Sequence, residues 1–128
     1  MAYIPLLYFN GQVYMNIDTD ERDSEGNLLY PDIPINNLNA MKDLFKRTVR
    51  FQAKNELRKT DYFVVKSFEE GLSFESAYPS IASLRDSIRQ WAASVEAAIN
   101  AATTIDELLA IDIVLPDGLE YDEFSTAV

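Results

Sequence analysis

The sequence predicts an α+β protein in which an N-terminal β-hairpin packs on an antiparallel helical pair, with a short C-terminal helix. Two apolar runs flank Asn10-Gly11, the dipeptide best suited to a two-residue type I′ turn. Apolar residues recur at helical spacing within 38–53 and again within 81–98. The 128 residues have the size of a single domain. We divide it into a hairpin and extended arm (1–35), a helical region (36–113) and an acidic tail (114–128).

The turn fixes the register of the hairpin. It brings one set of apolar side chains onto a single face: Ile4, Leu6, Tyr8, Val13, Met15 and Ile17. The other face carries Leu7, Phe9 and Tyr14, which are also apolar. A lone hairpin is marginally stable in water. We therefore expect the first face to lie on the helices and the second to dock another protein subunit.

The helices are predicted from start signals and apolar spacing. Asn36 or Asn37 can cap the first helix, whose apolar face is Leu38, Met41, Phe45, Val49 and Ala53. The strongest helix, 80–102, has an apolar stripe of Ile81, Leu84, Ile88, Trp91, Val95 and Ala98. By default this stripe packs on the first helix, and the seam of a homo-oligomer is the alternative.

Two shorter segments have local signals of their own. Thr60-Asp61 resembles an N-cap, but the Tyr-Phe-Val-Val content of 62–70 leaves helix and strand both open. Thr104 and Glu107 form a capping box for one more short helix.

The residue inventory argues against catalysis. The chain has no Cys and no His, so thiolate nucleophiles, the usual proton carrier near neutral pH and the usual zinc, copper and haem ligands are missing. We expect no enzyme activity and no cofactor. Paired carboxylates can still drive hydrolysis, but nothing in the sequence marks two of them as convergent. The sequence also has no apolar stretch of membrane-spanning length.

In and just after the acidic loop at 18–27, some residues are spaced like the ligands of a calcium-binding loop. Glu21, Asp23, Glu25, Gly26 and Asp32 fall on positions 1, 3, 5, 6 and 12 of an EF-hand frame. The usual residues at positions 1 and 12 are replaced, and a hairpin precedes the loop where a helix is required. We therefore interpret it as a solvated loop with no metal.

Charge is strongly segregated along the chain. The net charge is −10, yet seven of the 11 basic residues lie within 42–59. The only acidic residues in this window are Asp43 and Glu56, so its net charge is +5. The net charge of the rest of the chain is −15. Four of the basic residues in the window form a helical stripe: Arg47, Arg50, Lys54 and Arg58. The favoured partner of this stripe is the chain's own acidic tail, followed by an acidic surface on another protein; the negative surroundings argue against nucleic acid.

One stretch resembles a known family. Residues 55–62 (NELRKTDY), residues 64–71 (VVKSFEEG), Tyr78 and residues 84–91 (LRDSIRQW) are similar to a small module of bacteriophage tail assembly chaperone-like and tail-fibre assembly proteins. In that module a helix ends at Leu-x-x-Thr-Asp-aromatic, and a second helix carries Arg-x-x-(Leu or Ile)-Arg. The matching residues are Leu57, Thr60, Asp61, Tyr62, Arg85, Ile88 and Arg89. Tyr62 stands where Trp is common, and the insertion before the second helix is longer than in the module.

The resemblance implies an assembly or binding role in a phage tail, in the virion or in the host cytoplasm during assembly. Its partners would be other tail, fibre or baseplate proteins, with a homo-oligomer left open and neither nucleic acid nor membrane expected. The alternative is a free acidic regulatory or inhibitory protein that covers a basic site on its partner. The candidate partner-binding residues are Leu7, Phe9, Tyr14, Arg47, Arg50, Lys54, Arg58, Trp91, Tyr121 and Phe124.

Overall fold

The computed structural model describes residues 3–121 of the chain. Within this range the order is β1 (Tyr3–Phe9), β2 (Gln12–Asp18), α1 (Leu38–Arg58), α2 (Asp61–Glu69), α3 (Phe74–Ala77), α4 (Pro79–Ala101) and α5 (Ile105–Leu109), with a 3₁₀ turn at Asp117–Leu119. The strands form an antiparallel hairpin against the helices, so the predicted α+β class is confirmed.

The hairpin has the predicted turn and register. Asn10 and Gly11 have φ values of 52° and 77°, the left-handed pair that a type I′ turn requires. The register that this turn implies is formed, with Ile4 opposite Ile17, Leu6 opposite Met15, and Tyr8 opposite Val13.

The face that the hairpin turns to the helices differs from the prediction. Ile4 and Leu7 are both fully buried although they are three residues apart, whereas Met15 is 69% exposed. Asn16 has a φ of 55°, and Asn16 and Pro5 fall in the gap between the Ile4–Ile17 and Leu6–Met15 pairs. A left-handed residue and a proline interrupt the two-residue alternation of a strand. The side chains that face inward therefore change along the hairpin.

α1 and α4 form the antiparallel pair. Lys42 near the start of α1 donates to the carbonyl of Asn100 at the end of α4, while Arg85 near the start of α4 donates to the carbonyl of Leu57 at the end of α1. Asn37 caps α1 through its side chain, which accepts a hydrogen bond from the Ala40 amide. On α4 the buried stripe ends at Ile99, and Ala98 is exposed because an α-helix repeats every 3.6 residues and drifts from a seven-residue stripe.

The core lies between the hairpin, the two long helices and the segment after α4. It contains Leu7 and Ile17 from the hairpin, Phe45 and Val49 from α1, and Ile99 from α4. Leu108 of α5 and Ile113 close it from the C-terminal side. The hairpin is anchored to α1 where Tyr8 stacks on Phe51, with ring centroids 4.2 Å apart.

The residues after α5 run along α1. Gln52 donates to the Ile113 carbonyl at 2.7 Å and accepts from the Leu115 amide at 2.8 Å. Farther along, the Tyr121 amide donates to the buried carboxylate of Glu56 at 3.2 Å. This segment therefore follows the side of α1 that carries Gln52 and Glu56.

Candidate functional site

The junction between α1, α2 and α4 is organised by Arg85, which is only 9% exposed. Its Nη1 donates to the Leu57 carbonyl at 2.8 Å, to Thr60 Oγ1 at 2.8 Å and to Asp61 Oδ1 at 3.0 Å. Thr60 itself donates to the Leu57 carbonyl. These four residues belong to the motif that carries the family resemblance. Thr60 occupies the N-cap position of α2 as predicted, but its hydroxyl makes no capping bond and serves the junction with Arg85 instead.

Residues 61–69, whose state the sequence left open, form helix α2. The end of α2 is a Schellman motif: Gly71 has a φ of 70°, its amide donates to the Phe68 carbonyl, and the Leu72 amide donates to the Ser67 carbonyl. The inner face holds Phe63, whose ring contacts those of Tyr78 and Tyr121.

The outer face of α2 is apolar and exposed. The exposed fractions are 64% for Tyr62, 55% for Val65, 85% for Phe68 and 53% for Leu72. Spaced three to four residues apart, these side chains share one side of the helix and its C-terminal turn. We call this set the α2 face. A group of exposed apolar side chains such as this is a candidate interaction site, whereas apolar side chains that are exposed singly need no explanation.

A shallow groove of about 540 Å³ lies between α1 and α4. Its cations are Arg50, Lys54, Arg58, Arg85 and Arg89, its carboxylates are Asp61 and Glu96, and its apolar lining is Ala53, Leu57, Ala92 and Ala93. Arg50 forms an ion pair with Glu96 and Arg85 belongs to the junction. We call this feature the basic groove.

The hairpin residues predicted to dock a partner lie on the wrong face for that role. Leu7 is fully buried in the core, and Phe9 and Tyr14 are half-buried and pack against it. The prediction that these three form the outer face was wrong, because Asn16 and Pro5 interrupt the strand alternation. The exposed apolar side chains of β2 are Val13 and Met15.

The remaining candidate residues fall in different surroundings. Arg47, Arg50, Lys54 and Arg58 are all exposed, and their partner-binding role stays a prediction. Arg47 lies toward the hairpin, apart from the basic groove. Trp91 is half-buried against the core, and the Tyr121 ring packs on Phe63. Phe124 lies outside the described residues.

The acidic C-terminal segment, as far as Tyr121, does not neutralise the basic stripe. It contacts Gln52 and Glu56, which lie on the opposite side of α1 from Lys54 and Arg58. For the described part of the tail, residues 114–121, the favoured internal pairing was therefore wrong. Residues 122–128 lie outside the described part of the chain.

The acidic loop is closed by its own hydrogen bonds. Asp23 Oδ1 accepts from the amides of Glu25 and Asn27, and Arg22 donates to the Gly26 carbonyl at 2.7 Å. Within 3–121, no three Asp or Glu side chains are grouped so that they could hold a metal ion. Over the same residues, no helix is both long enough and apolar enough to cross a membrane.

The carboxylate of Glu107 forms hydrogen bonds just before the start of its own helix, α5. Its Oε2 accepts from the Thr103 amide at 2.6 Å and from the Thr103 hydroxyl at 2.8 Å, and these bonds lower the pKa of Glu107. The Thr104 hydroxyl accepts from the Glu107 amide, as expected for the predicted capping box. In the usual box the carboxylate accepts from the amide of the N-cap residue, whereas here it accepts from the amide of Thr103, one residue before the N-cap. This group caps a helix and faces solvent, an arrangement that serves structure.

Comparison with known proteins returned no match: no family model, no curated protein and no solved structure is similar to this chain. Function is therefore inferred from the surfaces of the molecule itself. Of these, sequence analysis found the basic stripe and missed the α2 face. The signal was present as Tyr62, Val65, Phe68 and Leu72 at helical spacing, but it could be recognised only after 61–69 was known to be helical.

Proposed function

We propose that this chain is a non-enzymatic protein-binding component of a bacteriophage tail, either a structural or adaptor protein of the virion or a tail or fibre assembly factor. The observation that carries the binding role is the α2 face. Fully burying a large apolar side chain contributes roughly 1.5–3 kcal/mol of favourable free energy. A partner that covers several of these four residues therefore gains binding free energy from each of them.

The α2 face fits a partner with an apolar groove bordered by cations. Asp61, Glu69 and Glu70 are exposed beside it, and Lys66 lies over the Tyr62 ring. Carboxylates at the rim of an apolar patch favour a partner of opposite charge and speed the encounter. We assign this role to another tail, fibre or baseplate protein.

The phage assignment is supported by the residues of the resemblance. Leu57, Thr60, Asp61 and Arg85 are separated by up to 28 positions, yet they meet in one hydrogen-bonded junction. In this chain the junction holds the start of α2, and the α2 face is exposed to solvent.

The test is capture from the cells in which the chain is naturally made. The tagged chain, used as bait, is expected to recover tail, fibre or baseplate proteins identified by mass spectrometry. The variant Val65→Ser/Phe68→Ser is expected to lose them, because it removes the centre of the α2 face while leaving the core intact. The matched control is Val13→Ser/Met15→Ser, which removes two exposed apolar side chains from β2 and should retain the partners.

Three results would count against the proposal. A chain that stays a monomer and recovers no tail component contradicts it. Recovery of a basic enzyme alone favours the free regulatory protein. The Val65→Ser/Phe68→Ser variant could also retain every partner and show the same complex by native mass spectrometry. That result would exclude the α2 face as the binding surface. Unfolding transitions of both variants, followed by circular dichroism, establish that lost binding does not reflect lost folding.

A further inference from the structure

We infer that the basic groove binds an acidic amphipathic segment of a partner protein. This inference rests on the proposed protein-binding role. It adds a second contact surface, which is formed by residues other than those of the α2 face. The groove and the α2 face have different chemistry, so each can fail without the other.

The charge of the groove is opposite to that of the molecule. Five cations and two carboxylates give its lining a charge of +3, whereas the whole chain carries −10. Two of the cations, Arg50 and Arg85, are already paired within the fold. Among residues 3–121, no carboxylate lies within ion-pair distance of Lys54 or Arg58, and Arg89 reaches Asp86 only at 3.4 Å in an exposed i, i+3 pair. Three cations are therefore available to a ligand.

The shape of the groove favours a polypeptide segment. Its apolar lining is built of small residues, and Ala53, Ala92 and Ala93 lie where the two long helices face each other. Alanine leaves room for another backbone to approach closely, or for an aliphatic side chain to be inserted. Leu57 adds a larger apolar contact near the α1 end of the groove. An amphipathic segment satisfies both features, with aliphatic side chains on the alanines and carboxylates on Lys54, Arg58 and Arg89.

Electrostatics favour a short acidic segment over nucleic acid. Exposed charges are screened beyond about 8 Å at physiological ionic strength. A segment with three or four carboxylates can place all of them against the groove cations. A nucleic-acid strand would extend past the groove into the negative field of the surrounding surface, where its phosphates are repelled.

The test is an unbiased selection followed by affinity measurement. A display library of random 16-residue peptides is selected on the wild-type chain and then counter-selected on Lys54→Glu/Arg58→Glu. We expect the recovered peptides to be enriched in Asp and Glu interleaved with Leu, Ile or Val. Synthetic copies should bind the variant at least about tenfold more weakly than the wild type, and binding should weaken as salt is raised.

The matched control is Arg47→Glu/Lys66→Glu. Each substitution changes the charge by −2, so both double variants move from −10 to −14, but Arg47 and Lys66 lie outside the groove. Equal loss of binding in the two variants would overturn the inference, because it would show a general field effect. Peptides without acidic enrichment, or tighter binding of a single-stranded DNA oligonucleotide, would also overturn it. If peptide 112–128 binds best and the protein self-associates, the partner segment is that of a second copy.

The result is separable from that of the tail-protein capture. Loss of tail partners in Val65→Ser/Phe68→Ser with peptide binding intact supports both surfaces. If peptides bind at the groove but no tail protein is captured, the phage assignment is contradicted and the groove is still supported as a peptide-binding site.

Discussion

The Nη1 atom of Arg85 lies 2.8 Å from the carbonyl oxygen of Leu57, although the two residues are 28 positions apart. Leu57 is in the last turn of α1, and its carbonyl also accepts from the amide and the hydroxyl of Thr60, both at 3.1 Å. A cation from α4 therefore adds a charged donor to the end of α1, at the point where the chain turns into α2. The α2 helix is thus held at its start by Arg85 and along its inner face by the ring contacts of Phe63 with Tyr78 and Tyr121.

Replacing Arg85 with methionine is expected to destabilise the fold by about 2–4 kcal/mol, because a buried carbonyl and a buried hydroxyl lose their charged donor. Urea unfolding measures the change in the free energy of unfolding. The control is Arg89→Met, one turn farther along α4 and exposed, for which we expect a change within about 0.5 kcal/mol. Equal costs at the two positions would show that the junction adds no stability.

Gly71→Ala is expected to cost about 1 kcal/mol, because the φ of Gly71 is 70°, a left-handed conformation that a residue with a Cβ adopts at a cost. A methyl group at either Gly71 or Gly118 would meet no other atom within 4 Å, so the penalty is one of backbone conformation. Gly118→Ala is the control, because Gly118 does not have a positive φ, and it should leave the thermal midpoint unchanged or slightly raised. Equal shifts of the midpoint in the two variants would contradict this explanation.

Thr48→Val is expected to weaken the attachment of the hairpin to α1. The buried hydroxyl of Thr48 accepts a hydrogen bond of 2.9 Å from the Tyr8 amide, and valine keeps the shape but removes the acceptor. We expect a loss of about 1–2 kcal/mol and faster hydrogen exchange at the Tyr8 amide. Thr48→Ser keeps the hydroxyl and should preserve that protection. Unchanged exchange in the valine variant would contradict this account.

Glu107 is expected to titrate below the ordinary range for glutamate. The Thr103 amide and hydroxyl bond to the ionised carboxylate and lower its pKa in the folded state relative to the unfolded chain. Its contribution to stability is therefore present above the unfolded pKa and is lost as pH falls through the folded pKa. Carboxyl chemical shifts followed by NMR measure this pKa. In Glu107→Gln, the stability of the fold should depend less on pH in this acidic range.

Local signals in the sequence predicted most of the secondary structure. Asn10-Gly11 fixed the turn and register of the hairpin because few dipeptides adopt two left-handed residues easily. Of the two residues expected to cap the first helix, Asn37 does so, and Thr104 caps the last one as expected. These signals act within a few residues of one another, so they can be recognised without knowledge of the rest of the chain.

The faces and surfaces depended on tertiary structure. The alternation of side chains along a strand predicted that Leu7 lies on the outer face of the hairpin. In the structure the strand alternation is interrupted at Asn16, and Leu7 lies in the core. Residues 62–70 have similar preferences for helix and strand, and α2 is fixed by Arg85 from a distant helix.

The sequence by itself determined the fold class, the two long helices and the absence of Cys and His, because composition and short-range spacing encode them. Only the tertiary structure decided which apolar residues of 3–121 are exposed and which cations have no carboxylate partner within that range. Burial and ion pairing are set by residues far apart in the chain, such as Leu57 with Arg85 and Arg50 with Glu96.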